Sequence, residues 1–342
     1  MGAHELHDTA RALVADDKGI LAADESTGTI KKRFDSIGLG STEESRRAYR
    51  DMLFTTPQLE EWVSGVILYD ETIRQSASDG TPFPKLLDEK GIIPGIKVDL
   101  GAKQLALSPE ETVTEGLDGL RDRLQEYRSL GARFAKWRAV ITIGPGIPTD
   151  YCLRTNAHAL ARYAALCQEQ GIAPIVEPEV LMDGGHDLET CYRVTSQTLE
   201  LVFRELHDQR IDLEGMLLKP NMVISGKESL TQAGPQEVAE ATIRCFQNVV
   251  PAVVPGIVFL SGGQSDQQAS ENLNAINQLG PQSWVLSFSY GRALQAPALK
   301  AWQGDAANVE AGQAMLALRA RANSAAVAGR YSAELEELAR AS

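Results

Sequence analysis

Eight short apolar stretches recur along the chain, at residues 19–24, 63–70, 92–99, 134–141, 172–180, 215–221, 257–263 and 284–291. Each is bounded by turn-forming residues and is too short for a helix, so each reads as a strand buried on both faces. Between most of them the apolar residues change period. Residues 110–130, 156–170, 188–206 and 236–249 repeat apolar positions at spacings of three and four with charges between, which predicts amphipathic helices. Strand and helix alternating from end to end predict a parallel sheet, and eight units predict its closure into a (β/α)8 barrel. A doubly wound open sheet is the alternative. Residues 1–18 read as a leading helix outside the barrel, and residues 305–342 as a C-terminal helical extension. No linker or low-complexity stretch divides the sequence, so a single α/β barrel domain spanning 1–342 is expected.

Charged residues interrupt this pattern at one end of the strands. The first stretch ends in Asp24, and the third carries Lys97. The fourth carries Lys136 and Arg138, the fifth Glu177 and Glu179, and the sixth Lys219. The seventh reaches Ser261, and the eighth carries Ser289 with Arg292 just beyond. Charged side chains are seldom buried unless paired, and the C-terminal ends of strands are where barrel enzymes place their chemistry. Side chains two apart on a strand share a face. Lys136 therefore points with Arg138 and Glu177 with Glu179, and inward-facing pairs would mix cations with carboxylates. Pro178 and Pro220 lack the N–H of a central ladder and are read as points where regular pairing stops.

Composition narrows the chemistry. The 342 residues are 43% hydrophobic and 23% charged, as in an ordinary globular protein large enough to need no metal or disulfide staple. A formal net charge of −13 argues against a nucleic-acid partner, which would call for a basic excess. No apolar run approaches a membrane span and no signal peptide is visible, so a cytoplasmic protein with no membrane partner is expected. Cys152, Cys167, Cys191 and Cys245 match no metal or redox spacing. The histidines His4, His7, His158, His186 and His207 form no ligand pair. Neither a metal nor another cofactor is expected.

Lys219 follows Met216, Leu217 and Leu218. An amine entering an apolar barrel mouth is desolvated, and a neighbouring Lys136 repels its charge. Both effects favour the neutral form that attacks a carbonyl. A structural lysine paired with Glu177 or Glu179 is the competing reading. If Lys219 is a nucleophile, loss of water from the carbinolamine needs a proton donor, and the two glutamates are the candidates. Ser261, Gly262 and Gly263 form the turn after the seventh strand, and Ser289, Gly291 and Arg292 the turn after the eighth. These two loops commonly hold phosphate in such barrels. A second cationic group follows the first strand, where Ser26 and Thr29 precede Lys31, Lys32 and Arg33. With Lys97 it forms a candidate second phosphate site.

The motifs that carry these residues resemble those of class I fructose-bisphosphate aldolases through nearly the whole chain. They are KGILAADEST at 18–27, GIKVD at 95–99, FAKWR at 134–138, PIVEPE at 174–179, LLKPNM at 217–222, FLSGGQS at 259–265, LNAIN at 273–277 and FSYGRALQ at 288–295. The resemblance implies a (β/α)8 enzyme of glycolysis and gluconeogenesis that is cytoplasmic and homotetrameric, with phosphorylated ketoses and trioses as substrates. It implies that Lys219 forms a Schiff base, that Glu177 is the principal acid/base, and that Asp24, Lys136 and Glu179 tune and position that pair. Ser261, Gly262, Gly263, Ser289, Gly291 and Arg292 correspond to the site for the phosphate on ketose C1. Arg33, Ser26, Thr29, Lys97 and Arg138 correspond to contacts with the rest of the substrate or its other phosphate.

Animal members of that family end in a tyrosine that assists proton transfer to the enamine, whereas no tyrosine follows Tyr331 in this sequence. Another group or water is then expected to protonate the enamine. Either Glu177 or Asp24 would take the C4 hydroxyl proton. A different Schiff-base aldolase or a transaldolase is the nearest rival, separated by its use of the second phosphate. A catalytically silent barrel kept as a binding scaffold is the rival of another class, separated by turnover.

Overall fold

The computed structural model describes residues 3–336. The expectation that concerns the end of the chain lies partly in residues 337–342, outside the described residues. The described residues form ten strands: β1 (Gly19–Ala22), β2 (Val63–Leu68), β3 (Ile93–Lys97), β4 (Ala102–Leu105), β5 (Ser108–Thr114), β6 (Phe134–Ile141), β7 (Ala173–Val180), β8 (Leu217–Leu218), β9 (Gly256–Phe259) and β10 (Val285–Tyr290). Eight of them close into a barrel in the order β1-β10-β9-β8-β7-β6-β3-β2. All its pairs are parallel, and β1 pairs with both β2 and β10, which excludes the open sheet. Each of the eight apolar stretches overlaps one barrel strand.

The alternation along each strand divides the barrel into two packing zones. Outward residues such as Val66, Ile96, Trp137, Val176, Leu218 and Phe259 join the main core under the surrounding helices. Inward residues Ile20, Ile67, Phe134, Ile175, Leu217 and Val258 form a second, smaller cluster with Leu6, Ala10, Leu13 and Val14. The leading helix, Ala3–Leu13, thus lies outside the strands as expected, but its last turn plugs the N-terminal end of the barrel. Glycines make room for the plug. A Cβ at Gly65 would lie 2.6 Å from Leu13 Cδ2, and one at Gly256 would lie 2.6 Å from Val14 Cγ1.

One predicted helix is corrected. Residues 110–130 do not form a continuous helix; the helix begins only at Leu120 and runs to Ser129. Residues 108–114 instead form β5, antiparallel to β4. The run Thr112, Val113, Thr114 favours extended backbone. The Thr112 and Thr114 hydroxyls donate to the β6 carbonyls of Val140 and Arg138 at 3.2 and 2.6 Å. Gly119, at φ 65°, then separates hairpin from helix. The C-terminal extension is a helix at Val309–Val327. Its buried Arg319 donates to Ala293 O at 3.0 Å, fastening it to the helix Arg292–Trp302 that follows β10. No helix among the described residues is long and apolar enough to cross a membrane.

The plug makes a quantitative expectation. Gly256→Ala should lose about 1–3 kcal/mol of stability by overpacking Val14. Val14→Ala in the same chain should recover part of that loss. A urea-denaturation cycle over the two single variants and the double variant reads the coupling; strict additivity would contradict the packing.

Candidate active site

The inner face of the barrel turns polar toward its C-terminal end, strand by strand. On β6 Phe134 gives way to Lys136 and Arg138, and on β7 Ile175 gives way to Glu177 and Glu179. Lys219 follows Leu217 across one residue, and Asp24 follows Ala22. The shared faces expected from the two-residue period therefore point inward. A cavity of about 450 Å³ opens there, and every predicted site residue lines it.

At its floor four charged groups form a chain. The Lys219 ammonium lies 3.3 Å from Glu177 Oε1, Glu177 Oε2 lies 3.4 Å from Lys136 Nζ, and Lys136 Nζ lies 2.7 Å from Asp24 Oδ2. Lys219, Glu177 and Lys136 are 4%, 3% and 4% exposed, so water screens this chain little. Burial alone would raise the Asp24 carboxyl, but Lys136, Lys219 and Lys97 outweigh it and hold the acid well below the usual range. Burial opposes charge on Lys136 as well, yet Asp24, Glu177 and Asp99 hold that ammonium firmly protonated. Asp24 and Lys136 are thus a fixed ion pair. Glu177 offers one oxygen to each lysine at ion-pair distances too long for short hydrogen bonds, so its carboxylate bridges two cations without being locked to either.

Glu179 does not join Lys219. It forms a close ion pair with Arg138 Nε. Arg138 is held fully charged, since Glu179, Glu177 and Asp99 outweigh the burial that opposes it. Asp99 also accepts the Arg138 backbone N–H at 3.2 Å and faces Lys97 Nζ at 2.6 Å, so it ties β3 to β6 at the rim.

The reading of Pro178 needs correction. Pairing does not stop there on the β6 side, where the register runs on through Val180. Val176 O accepts the Lys219 N–H at 2.8 Å, so alternate residues from Val176 onward turn their backbone groups to β8. The N–H that Pro178 lacks is on that side, where the β7–β8 register ends at Val176 and Leu218. Beyond it the Asn221 side chain accepts the Val180 N–H at 3.0 Å. The two prolines and Asn221 therefore open the wall only beside Lys219.

The loops after β9 and β10 form a corner of unpaired hydrogen-bond donors. Among the described residues no acceptor is bonded to the N–H of Gly262, Gly263, Gly291 or Arg292. The Ser289 hydroxyl is buried, lines the cavity and has no partner among the described residues. Unpaired donors at a helix start form a site for a phosphate. Arg292 lies at the lip, donating from Nη2 to Gln264 O at 2.6 Å. Ser26, Thr29, Lys97 and Arg138 line the cavity and share a neighbouring hollow, whereas the Arg33 guanidinium lies beside the β10 loop, its Nη2 3.7 Å from where a Gly291 Cβ would stand. Of the basic run after β1 only Arg33 turns inward. Lys31 pairs with Asp35 at 2.8 Å on the exposed face, and Lys32 is exposed.

Several residues of the site were not foreseen. Buried Glu25 binds Arg33 closely and Arg50 at 2.6 Å, while Gln295 Nε2 donates to it at 2.8 Å. Gln295 and Glu25 lie 270 positions apart, so no local pattern joins them. Asp183 and Lys227 also line the cavity and had no strand-end signature. Tyr331 is absent from the cavity wall; it is buried, and its hydroxyl donates to Glu336 at 2.7 Å. No group of histidine, cysteine, aspartate and glutamate among the described residues is arranged to hold a metal ion.

Comparison with known proteins gives consistent results. The family described as "Glycolytic: Fructose-bisphosphate aldolase class-I" matches residues 5–342. A probable fructose-bisphosphate aldolase class 1 of Xanthomonas campestris is 58% identical over 97% of this chain and 99% of its own length. The cytosolic fructose-bisphosphate aldolase 4 of Arabidopsis thaliana is 51% identical over 97% of this chain and 85% of its own. A solved structure of fructose-bisphosphate aldolase from Plasmodium falciparum superposes with a TM-score of 0.95 at 52% identity, covering 96% of each chain.

The fixed ion pair has a pH signature. The stability contributed by Asp24 is present above about pH 4, where its unfolded carboxyl ionises, and is lost as pH falls toward its lowered folded value. Lys136→Met removes its main partner, so burial meets less opposition and the carboxyl rises. The variant should lose about 3–5 kcal/mol at pH 7 and distinctly less at pH 5, where the carboxyl can take up a proton. Urea denaturation at the two pH values measures this, and an equal loss at both would contradict it.

Proposed function

The chain belongs to the class I fructose-bisphosphate aldolase family, and on that premise we propose that it cleaves fructose 1,6-bisphosphate reversibly to dihydroxyacetone phosphate and glyceraldehyde 3-phosphate through a Schiff base on Lys219. The observation that carries the assignment of the lysine is its position: a buried amine on the inner wall, 3.3 Å from a carboxylate and facing a cavity lined by cationic side chains and an unpaired hydroxyl.

The steps follow from the charges. The Lys219 amine, having passed a proton to Glu177, adds to the C2 ketone. Glu177 returns a proton to the carbinolamine hydroxyl, which leaves as water, and the iminium forms. Glu177, now a carboxylate again, takes the C4 hydroxyl proton as C3–C4 breaks and the electron pair moves onto the iminium as an enamine. Glyceraldehyde 3-phosphate departs, C3 is protonated, and water hydrolyses the iminium to dihydroxyacetone phosphate. Glu177 suits this shuttle better than Asp24. A carboxyl held so far below its usual range is a weak base, so Asp24 serves to fix Lys136. Lys136 supplies a permanent positive charge beside the developing alkoxide. Glu179 acts at one remove, by aiming Arg138 at the substrate.

The phosphate on C1 is assigned to Ser261, Gly262, Gly263, Ser289, Gly291 and Arg292. The far end of the substrate is assigned to Ser26, Thr29, Arg33, Lys97 and Arg138. The free N–H groups and unpaired Ser289 hydroxyl support the first assignment, and the grouping of Ser26, Thr29, Lys97 and Arg138 around one hollow supports the second. We further infer a cytoplasmic homotetramer acting in glycolysis and gluconeogenesis, a reading supported by the family.

Borohydride reduction in the presence of dihydroxyacetone phosphate should add the mass of the reduced triose phosphate to Lys219 alone. An adduct on Lys136, or none, would sink the assignment. Glu177→Gln should lower kcat by about 10²–10⁴-fold while leaving the protein folded. Cleavage of fructose 1,6-bisphosphate should persist unchanged after dialysis against EDTA; loss of turnover restored by a divalent cation would overturn the metal-independent mechanism.

A further inference from the structure

The rim of the cavity beside the anion corner is a strap made from two loops. The segment after β7 and the segment after β8 are joined by three backbone hydrogen bonds: Gly226 N to His186 O at 2.8 Å, Lys227 N to Met182 O at 2.8 Å, and Glu228 N to Gly184 O at 3.0 Å. Gln232 Nε2 donates to Gly226 O at 2.9 Å and braces the turn. The backbone of Lys227 is therefore fixed, and only its side chain is free to move. That side chain lies across the open face of Gly263. A Cβ built there would stand 2.7 Å from Lys227 Cε and 2.9 Å from its Nζ. The ammonium is paired with Asp183 at 2.9 Å, and both residues line the cavity. Lys227 is 46% and Asp183 60% exposed. Such an exposed pair is weak.

We propose that Lys227 is a further phosphate-binding residue of this site, parked by Asp183 against the turn at Gly262 and Gly263 and transferring its ammonium to the substrate phosphate held there. The proposal rests on the assignment of the C1 phosphate to that turn. A phosphate bound by the free Gly262 and Gly263 N–H groups sits within reach of a four-carbon stem already lying on Gly263. A doubly charged anion with several acceptor oxygens is a stronger partner for an ammonium than one solvated carboxylate. Asp183 plays a double part. It keeps the cation at the rim when the site is empty, and it competes with the phosphate for the same donor. Lys227 would thereby add a mobile cation to a corner otherwise built from backbone donors, Ser289 and Arg292.

The two members of the pair should act with opposite signs. Lys227→Ala should raise KM for fructose 1,6-bisphosphate by about 5–10-fold, the cost of one partly solvated charge-assisted hydrogen bond, with most of the effect in KM rather than kcat. It should weaken inorganic phosphate, measured by calorimetry on the unliganded protein, by a similar factor. Lys227→Arg should restore most of both. Asp183→Asn should tighten inorganic phosphate, because the ammonium loses its other partner and a negative charge leaves the rim. A merely structural ion pair would shift both variants in the same direction; that result, or unchanged phosphate binding in Lys227→Ala, would overturn the proposal. The calorimetric arm needs no turnover. If cleavage proved absent while phosphate binding still moved in opposite directions, the reaction assignment would fail and the role of Lys227 would stand.

Discussion

The charge chain from Lys219 through Glu177 and Lys136 to Asp24 is the constraint around which the barrel mouth is organised. Two ammonium groups and two carboxylates cannot be taken out of water singly, because an isolated buried ion costs several kcal/mol after relaxation. Alternating in sign at 3.3, 3.4 and 2.7 Å, they can. The alternation requires a cation on β6 opposite an anion on β7 and another cation beyond β8. It also requires the anion after β1 to reach across the barrel. Only a closed barrel brings the residue after β1 within 3 Å of a lysine on β6, since β1 and β6 are not neighbours in the sheet. The chemistry at Lys219 and the closure of the fold are in this sense one requirement.

The floor beneath that chain explains why it stays dry. Phe134, Ile175, Leu217 and Val258 fill the inner layer below the charges, and Leu13 and Val14 close the far end from outside. Their shape is bought with glycine: Gly65 and Gly256 have no side chain because the plug occupies the space where one would stand. A leading helix remote from the cavity therefore helps to set the dielectric around Lys219. Loosening it would admit water to the bottom of the barrel and weaken each charge interaction above.

What the sequence reveals, and where it falls silent, follows from the range of each signal. The inward face of β6 is legible because Lys136 and Arg138 stand two apart in an apolar run, and that of β7 for the same reason with Glu177 and Glu179. Such signals are local. Residues 110–114 read as helix because their charges fall at spacings that also suit one, yet they form the second strand of a hairpin. Its extended form is fixed from outside, by β6 carbonyls that accept from Thr112 and Thr114. Glu25 was hidden because its neighbour Asp24 carries the strand-end pattern, whereas its own partners, Arg50 and Gln295, come from distant helices. Pro178 was half understood. A proline within a strand removes one donor from one side only, and which side depends on a register that no sequence pattern reports.

Arg292 apart, which donates to a backbone carbonyl, the cations around the cavity share one design. Arg33 is held by Glu25, Lys97 by Asp99, Arg138 by Glu179, Lys136 by Asp24 and Lys227 by Asp183. A wall of unpaired cations would bind a bisphosphate more tightly, but it would hold the product phosphates as strongly as the substrate, and uniform tightness lowers KM without raising kcat. Pairing each cation fixes its side chain in advance, so little rotamer entropy remains to be lost on binding. It also makes a phosphate that meets one of these cations displace or share an existing partner. The gradation of burial then assigns the tasks. The pairs at the floor are too deeply buried to exchange and serve as fixed charges for the reaction. The pair at the rim, Lys227 with Asp183, is open enough to trade a carboxylate for a phosphate and back. In a protein of net charge −13, this arrangement lets a small cationic hollow attract anionic sugars from an otherwise acidic surface and still release them.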